Sequence, residues 1–230
     1  MASGGYDSVR TVCVVHIALV GVDGCFTSAL TVFIDVLGTA EVLRPVFDCS
    51  IPFIRVDVVG ARRKVVTGAG LTVPVTMSLT DLDCFDTIVI PALGTLTEHA
   101  TTEALKGRDV RAVTRALGRI DHAAAIIAAA CTGVFALAET SLLDQHCATT
   151  SWWLRAAFRG RYPTVSLDLD AMVVSTTDCV CNTQTGSSPL QMPRCLCRRS
   201  GARRIGTSHG RTPPRLVAKV GRRRPFACLW

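Results

Sequence analysis

The sequence predicts an α/β fold with a mainly parallel sheet covered by helices on both faces. Three observations carry that prediction. Short runs rich in Val, Ile and Ala, and nearly free of charge, recur along the chain, as strands buried on both faces require. Between them lie segments whose apolar residues return at helical spacing. Strands that alternate with helices in this way join as βαβ units, which set neighbouring strands parallel.

Residues 11–20, rich in Val, make the first strand, and Gly21-Val22-Asp23-Gly24 closes it as a turn. Residues 28–43 form a helix with Leu30, Phe33, Ile34 and Leu37 on its apolar side. Residues 53–59 alternate in the manner of a strand. Residues 64–66 and 71–75 form a small hairpin across Thr67-Gly68-Ala69-Gly70. Residues 86–91 are a buried strand running into Ala92-Leu93-Gly94. Residues 102–120 follow as one helix with Leu105, Val110, Val113 and Leu117 inward. Residues 123–130 are a charge-free strand, and the Ala- and Leu-rich stretch after Thr132-Gly133 is a helix. In such sheets ligands bind beyond the carboxyl ends of the strands. The loops after Pro91 and Ala130 therefore mark the expected site.

Charge and cysteine both divide the chain near residue 178. Residues 1–178 hold 14 basic and all 18 acidic side chains, a net charge of −4, whereas the remainder has 11 basic residues and no acidic one. Six cysteines (Cys13, Cys25, Cys49, Cys84, Cys131, Cys147) are isolated in the first part, most in apolar surroundings. That suits small buried side chains in a reducing cytoplasm better than a disulfide framework. The apolar run 12–22 is interrupted by His16 and lacks the features of a signal peptide. The apolar stretch 123–138 has 16 residues broken by Thr132-Gly133, and so reads as strand plus helix, not a membrane span. The expected organisation is an arm over 1–9, one domain over 10–186, and a basic tail over 187–230. Pro189, Pro193, Pro213, Pro214 and Pro225 break that tail, which is expected to be disordered or read out of frame.

Cys131 stands at the junction of the charge-free strand and its helix, where α/β hydrolases hold a nucleophile. A helix N-terminus there favours a thiolate. The stretch Ala130-Cys131-Thr132-Gly133-Val134-Phe135-Ala136-Leu137-Ala138-Glu139 continues through Leu142-Leu143-Asp144 to Ala148-Thr149-Thr150-Ser151-Trp152, then Arg161-Tyr162-Pro163. With Asp23-Gly24, Phe33-Ile34-Asp35-Val36-Leu37 and the strand ending in Ile90-Pro91, it resembles the PfpI-like branch of the class I glutamine amidotransferase-like superfamily. More closely, it is similar to the N-terminal domain of AraC-type (GlxA-like) transcriptional regulators, over about residues 10–178. The resemblance implies a flavodoxin-like three-layer sandwich, a homodimer, and a sensing or regulatory role toward a small molecule, without a cofactor. In such regulators a helix-turn-helix module follows. The tail shows neither its two amphipathic helices nor its turn, so the chain is expected to be truncated before the DNA-binding module. Specific DNA binding is not expected of it, only weak nonspecific contact through Arg203-Arg204 and Arg222-Arg223-Arg224.

Cysteine hydrolysis requires a thiolate, a base and an oxyanion hole. The resemblance implies a His directly after the nucleophile, where this chain has Thr132, and a Glu after the first strand, where it has Ala29. Neither replacement takes up a proton, so a non-enzymatic elbow is expected. The competing reading is a cysteine hydrolase, amidase or deglycase in which Cys131 is served by His99, in the loop after the strand 86–91. His16 reads as a satisfied core histidine; His122 lies at the far end of the elbow strand and His146 beyond the elbow helix. The expected ligand set is Asp23, Gly24, Ala92, Leu93, Gly94, Cys131, Thr132 and Ser151, with the 92–94 amides as an anion-binding corner. Trp152 and Trp153 are expected in helix packing or dimer contacts. Cys179-Val-Cys181 and Cys195-Leu-Cys197 have one residue between ligands, a poor match to paired metal-site cysteines, so no metal is expected.

Overall fold

In chain order the elements are β1 (Val14–Gly21), α1 (Thr27–Phe47), β2 (Phe53–Gly60), β3 (Lys64–Val66), β4 (Thr72–Pro74), β5 (Met77–Ser78), β6 (Thr87–Ile90), α2 (Glu98–Lys106) and α3 (Arg108–Leu117). They continue with β7 (Ile126–Ala130), α4 (Gly133–Ala138), β8 (Cys147–Ala148), α5 (Arg155–Arg161), β9 (Ser166–Leu167), β10 (Val173–Ser175) and β11 (Cys179–Asn182). The computed structural model describes residues 14–47, 51–121 and 124–176, and the backbone of 179–182. The arm 1–9, Cys13, Cys49, His122, Cys195, Cys197, the Arg clusters and the whole tail 187–230 lie outside the described residues.

One seven-stranded sheet runs β10-β11-β7-β6-β1-β2-β5, parallel throughout except for the β10–β11 edge ladder. β1 and β2 pair along eight positions, from Val14–Phe53 to Gly21–Gly60. After β1 the chain moves outward to β2 and β5, then returns to β1's other side as β6. The sheet therefore has a switch point between β1 and β6, where the loops beyond their carboxyl ends part.

Strand parity explains the three layers. Val15, Ile17 and Leu19 of β1 pack with Leu30, Phe33 and Leu37 of α1 on one face. Ala18 and Val20 face the opposite way, into a larger core with Leu105, Val113, Leu117, Phe135 and Phe158 from α2, α3, α4 and α5. The β3–β4 hairpin is present and adds Val65 and Val73 to the α1 side.

Three expectations need correction. The helix predicted over 102–120 is two, because Gly107 takes an extended conformation (φ −57°, ψ 145°) between α2 and α3. α2 also begins earlier, at Glu98, so His99 sits in a helical first turn and not in a loop. Of the two placements expected for Trp152 and Trp153, packing within the chain is slight: they are 73% and 37% exposed and meet each other edge to face. β11 lies beyond the change of charge at residue 178, within the expected domain 10–186, and pairs with β7. Among the described residues no helix is long and apolar enough to cross a membrane.

Candidate functional site

β7 ends at Ala130, and the chain turns at Cys131 with φ 50°, a left-handed conformation that costs a non-glycine residue about 1–2 kcal/mol. Two donors hold the turn: the Val134 N–H (3.2 Å) and the Thr150 hydroxyl (2.9 Å) both reach the Cys131 carbonyl. Gly133 is required by close approach, because a Cβ there would lie 2.4 Å from the Pro91 carbonyl oxygen. The six-residue α4 that follows is buried at every position. Small side chains thus let the elbow sit directly against the end of β6.

The Cys131 side chain is completely buried, and its sulfur lies 2.7 Å from the Ser151 hydroxyl. Thr149, Thr150 and Ser151 are buried together, and each hydroxyl is satisfied: Thr149 donates to the Ala171 carbonyl, Thr150 to Cys131, and Ser151 meets the thiol. Such pairing is what burying three hydroxyls demands.

One amide of the predicted corner, that of Leu93, is occupied from within. The Leu93 N–H donates to the Thr132 hydroxyl at 2.9 Å, and both residues are buried. The Ala92 carbonyl accepts from the Phe26 N–H of the β1–α1 loop at 3.1 Å. That loop is tied to the hairpin by the Gly24 N–H to Val66 and the Gly68 N–H to Cys25, both 2.8 Å. Gly94 has φ 73°, and a Cβ on it would fall 2.0 Å from the Gly24 carbonyl oxygen. Ala92, Leu93, Gly94, Gly24, Cys131, Thr132 and Ser151 are therefore brought into one tightly bonded region. Burial pushes the neighbouring Cys25 thiol up to about 11.

Asp23 turns out of that cluster: one carboxylate oxygen accepts from the Val66 N–H (2.9 Å) and the other pairs with Arg62 (3.0 Å). Arg62 also reaches Asp109 of α3 at 3.2 Å, bridging a cleft of about 250 Å³ that Asp23 and Leu93 help to line.

The remaining histidines are placed away from the thiol's enclosure or engaged elsewhere. His99 is exposed on α2. His146 is exposed and bonds through Nδ1 to the Asp144 carbonyl at 2.7 Å. His16 bonds Asp57 through Nε2 at 2.6 Å and stacks on Phe85, with ring centroids 4.1 Å apart. Burial pushes the Asp57 carboxyl up, but hydrogen bonds from His16, Arg55 and Thr76 outweigh it and hold it below the ordinary range. This cluster ties β1 to β2 through the Asp57 carboxylate.

Sequence reasoning missed the brace beneath the elbow. Tyr162 donates its hydroxyl to Glu139 at 2.5 Å and lies 3.2 Å from the Phe135 carbonyl, while Arg161 pairs with the same Glu139 oxygen at 2.7 Å. The motif residues Glu139 and Arg161-Tyr162 thus fix α5 against the end of α4. Arg62, Arg108 and Asp109, all at the cleft, were also missed. Their signal was faint, since basic residues in turns and at helix starts are ordinarily solvated.

No protein-family model and no curated sequence matches the chain. Solved structures do. A transcriptional-regulator candidate from Vibrio parahaemolyticus matches with a TM-score of 0.64 at 16% identity, covering 82% of this chain and 97% of that one. An AraC family transcriptional regulator from Pseudomonas putida matches at 0.58 and 17% identity, covering 83% and 98%. A ThiJ/PfpI family protein from Pseudomonas syringae matches at 0.62 and 17% identity, covering 93% and 84%. At such identities the likeness establishes the fold. It is the flavodoxin-like fold of the DJ-1/ThiJ/PfpI proteins and of AraC-family regulator domains, the two groups that the sequence resembles.

Proposed function

We propose that this domain is the ligand-sensing, regulatory part of an AraC-type transcriptional regulator, and that Cys131 serves it as a structural member of the elbow. The observation that carries this reading is the enclosure of the thiol against Ser151, a hydroxyl that does not take up its proton. The Leu93–Thr132 bond supports it, because an amide satisfied by an internal side chain is not held ready for a reacting oxygen. On this reading the domain associates as a homodimer. Val42, Val46 and Phe47, 75–78% exposed on the outer end of α1, suit such a contact. Nucleic acid is met only through nonspecific phosphate contacts of the basic tail, without operator recognition by this chain.

The left-handed backbone at Cys131 favours a second reading, a cysteine hydrolase or deglycase, because strain of this kind is often kept at reacting groups. Iodoacetamide labelling of the folded full chain from about pH 6 to 9, read by peptide mass spectrometry, separates the two. The regulatory reading expects the exposed Cys84 to be labelled first and Cys131 only on unfolding. Faster labelling at Cys131 than at Cys84, with amide or glycated-substrate turnover abolished by Cys131→Ser, would establish the enzyme instead.

A further inference from the structure

The cleft beside the elbow has a composition that specifies a ligand. It lies between the β1–α1 turn and the start of α3, and encloses about 250 Å³. Val22, Leu93, Ala104 and Val110 supply apolar walls; three of them belong to the buried core and Ala104 packs against it. The volume suits a small organic molecule and is too small for a nucleotide or a peptide.

The charges at the rim sum to zero but are not paired one to one. Two arginines and two aspartates line the cleft, but Arg62 engages both carboxylates, Asp23 at 3.0 Å and Asp109 at 3.2 Å. Asp23 accepts a further hydrogen bond from the Val66 N–H. Both acids are thereby committed to holding the β2–β3 turn, the β1–α1 turn and α3 together. Arg108 makes no ion pair among the described residues, is exposed, and lines the same cleft. A planar guanidinium at the edge of an apolar recess matches a carboxylate joined to an apolar body.

We propose that this cleft binds a small organic carboxylate, its apolar part against Val22, Leu93, Ala104 and Val110 and its carboxylate on Arg108. The proposal deepens the sensing reading given above and rests on it for its purpose. Binding itself can be tested separately. Arg62 then acts as a bridge that keeps the rim assembled without competing for the ligand. The buried Cys131 takes no part in recognition.

The probes are isovalerate and benzoate, compared with isovaleramide and benzamide, which keep the shape and lose the charge. Calorimetric titration into the full chain is paired with NMR shifts of the Val22, Leu93, Ala104 and Val110 methyl groups. At least one carboxylate is expected to saturate and move those methyls, with its amide bound at least tenfold more weakly. Arg108→Gln, an exposed substitution that leaves the melting temperature unchanged, is expected to reduce the carboxylate to the level of its amide. Carboxylate binding that Arg108→Gln leaves intact would overturn the site. Amides binding as well as acids would overturn the ligand class, while the sensing reading stands. Failure of all four probes to move the methyls up to about 10 mM overturns the carboxylate site itself. The sensing reading would then fall separately, if a screen of neutral and cationic metabolites also left the melting temperature of the full chain unmoved.

Discussion

Replacing Gly133 with alanine tests how closely the elbow is built against the sheet. In an open helical position Gly→Ala stabilises by about 1 kcal/mol, because alanine loses less backbone freedom on folding. Gly38 in α1 is such a position, since an added Cβ meets nothing within 4 Å. At Gly133 the same carbon would lie 2.4 Å from the Pro91 carbonyl oxygen and 2.9 Å from that of Ile90. Both are backbone atoms at the end of β6, flanked by β1 and β7, and neither can rotate aside as the tip of a side chain would. The helix must move instead, and every residue of α4 is buried. Its Phe135 ring packs edge-on against Phe158 at 5.0 Å and near Tyr162 at 6.0 Å, so displacement loosens the larger core as well. Overpacking of this kind costs about 1–3 kcal/mol, and contact with rigid backbone belongs at the upper end. Less the gain in helix propensity, Gly133→Ala should destabilise by about 2 kcal/mol. With a urea dependence of about 2 kcal/mol per molar, its unfolding midpoint falls by about 1 M, while that of Gly38→Ala rises by about half as much. Circular dichroism and tryptophan fluorescence during urea unfolding measure both. A Gly133→Ala midpoint at or above that of the parent protein would refute the close approach.

Thr132→Val keeps the volume of the side chain but strips the Leu93 N–H of its acceptor. Leaving that buried donor unpaired should cost about 1–3 kcal/mol in the same urea assay, and Thr132→Ser should restore most of it. Glu139 supplies a pH-dependent prediction. Burial pushes its carboxyl up, but the bonds from Arg161 and Tyr162 outweigh that and hold it below the ordinary range. A depressed folded value contributes stability in full above the unfolded value of about 4.3, and that contribution disappears as pH falls through the folded one. Glu139→Gln should therefore melt below the parent protein at neutral pH, with the gap narrowing in acid below about pH 4. A gap that stays constant from neutral pH into acid would contradict the brace.

The sheet was legible because its strands are buried on both faces, which gives short charge-free runs such as Ile126–Ala130, too brief before the Thr132-Gly133 break to span a membrane. The elbow was legible for a related reason: a cysteine between such a strand and a Gly-containing helix start leaves few local structures open. The break at Gly107 was hidden because Leu105, Val110 and Val113 keep an apolar spacing that one helix or two can satisfy. Only the extended backbone of Gly107, whose added Cβ would approach the Ala104 carbonyl to 2.8 Å, distinguishes them. Trp152 and Trp153, expected in helix packing or dimer contacts, open a 3-10 turn at the surface. Long-range pairs were out of reach altogether. Nothing local in Thr132 announces Leu93, 39 residues earlier, and nothing in Ser151 announces a thiol 20 residues before it.

Under the proposed sensing role, those two pairs explain the elbow. In an acyl-transfer site the amides near a nucleophile are kept unsatisfied, so that they stabilise charge only as it develops. Here the Thr132 hydroxyl accepts from the Leu93 amide, at the position where the sequence resemblance implies a base in PfpI-type enzymes. A single residue type at position 132 therefore removes a proton acceptor and occupies a donor together. Ser151 and Thr150 then hold the thiol and the carbonyl of Cys131, so that the strained turn is fixed by its own neighbours and needs no substrate to complete it. What stays open to solvent is the next recess outward, between the Asp23 turn and α3, where Arg108 makes no ion pair with a carboxylate of the described residues. Under the proposed sensing role, the same switch-point loops that would frame a reaction instead frame a binding cleft, and a ligand there would be read through Asp23, Arg62 and Asp109 by three chain segments at once.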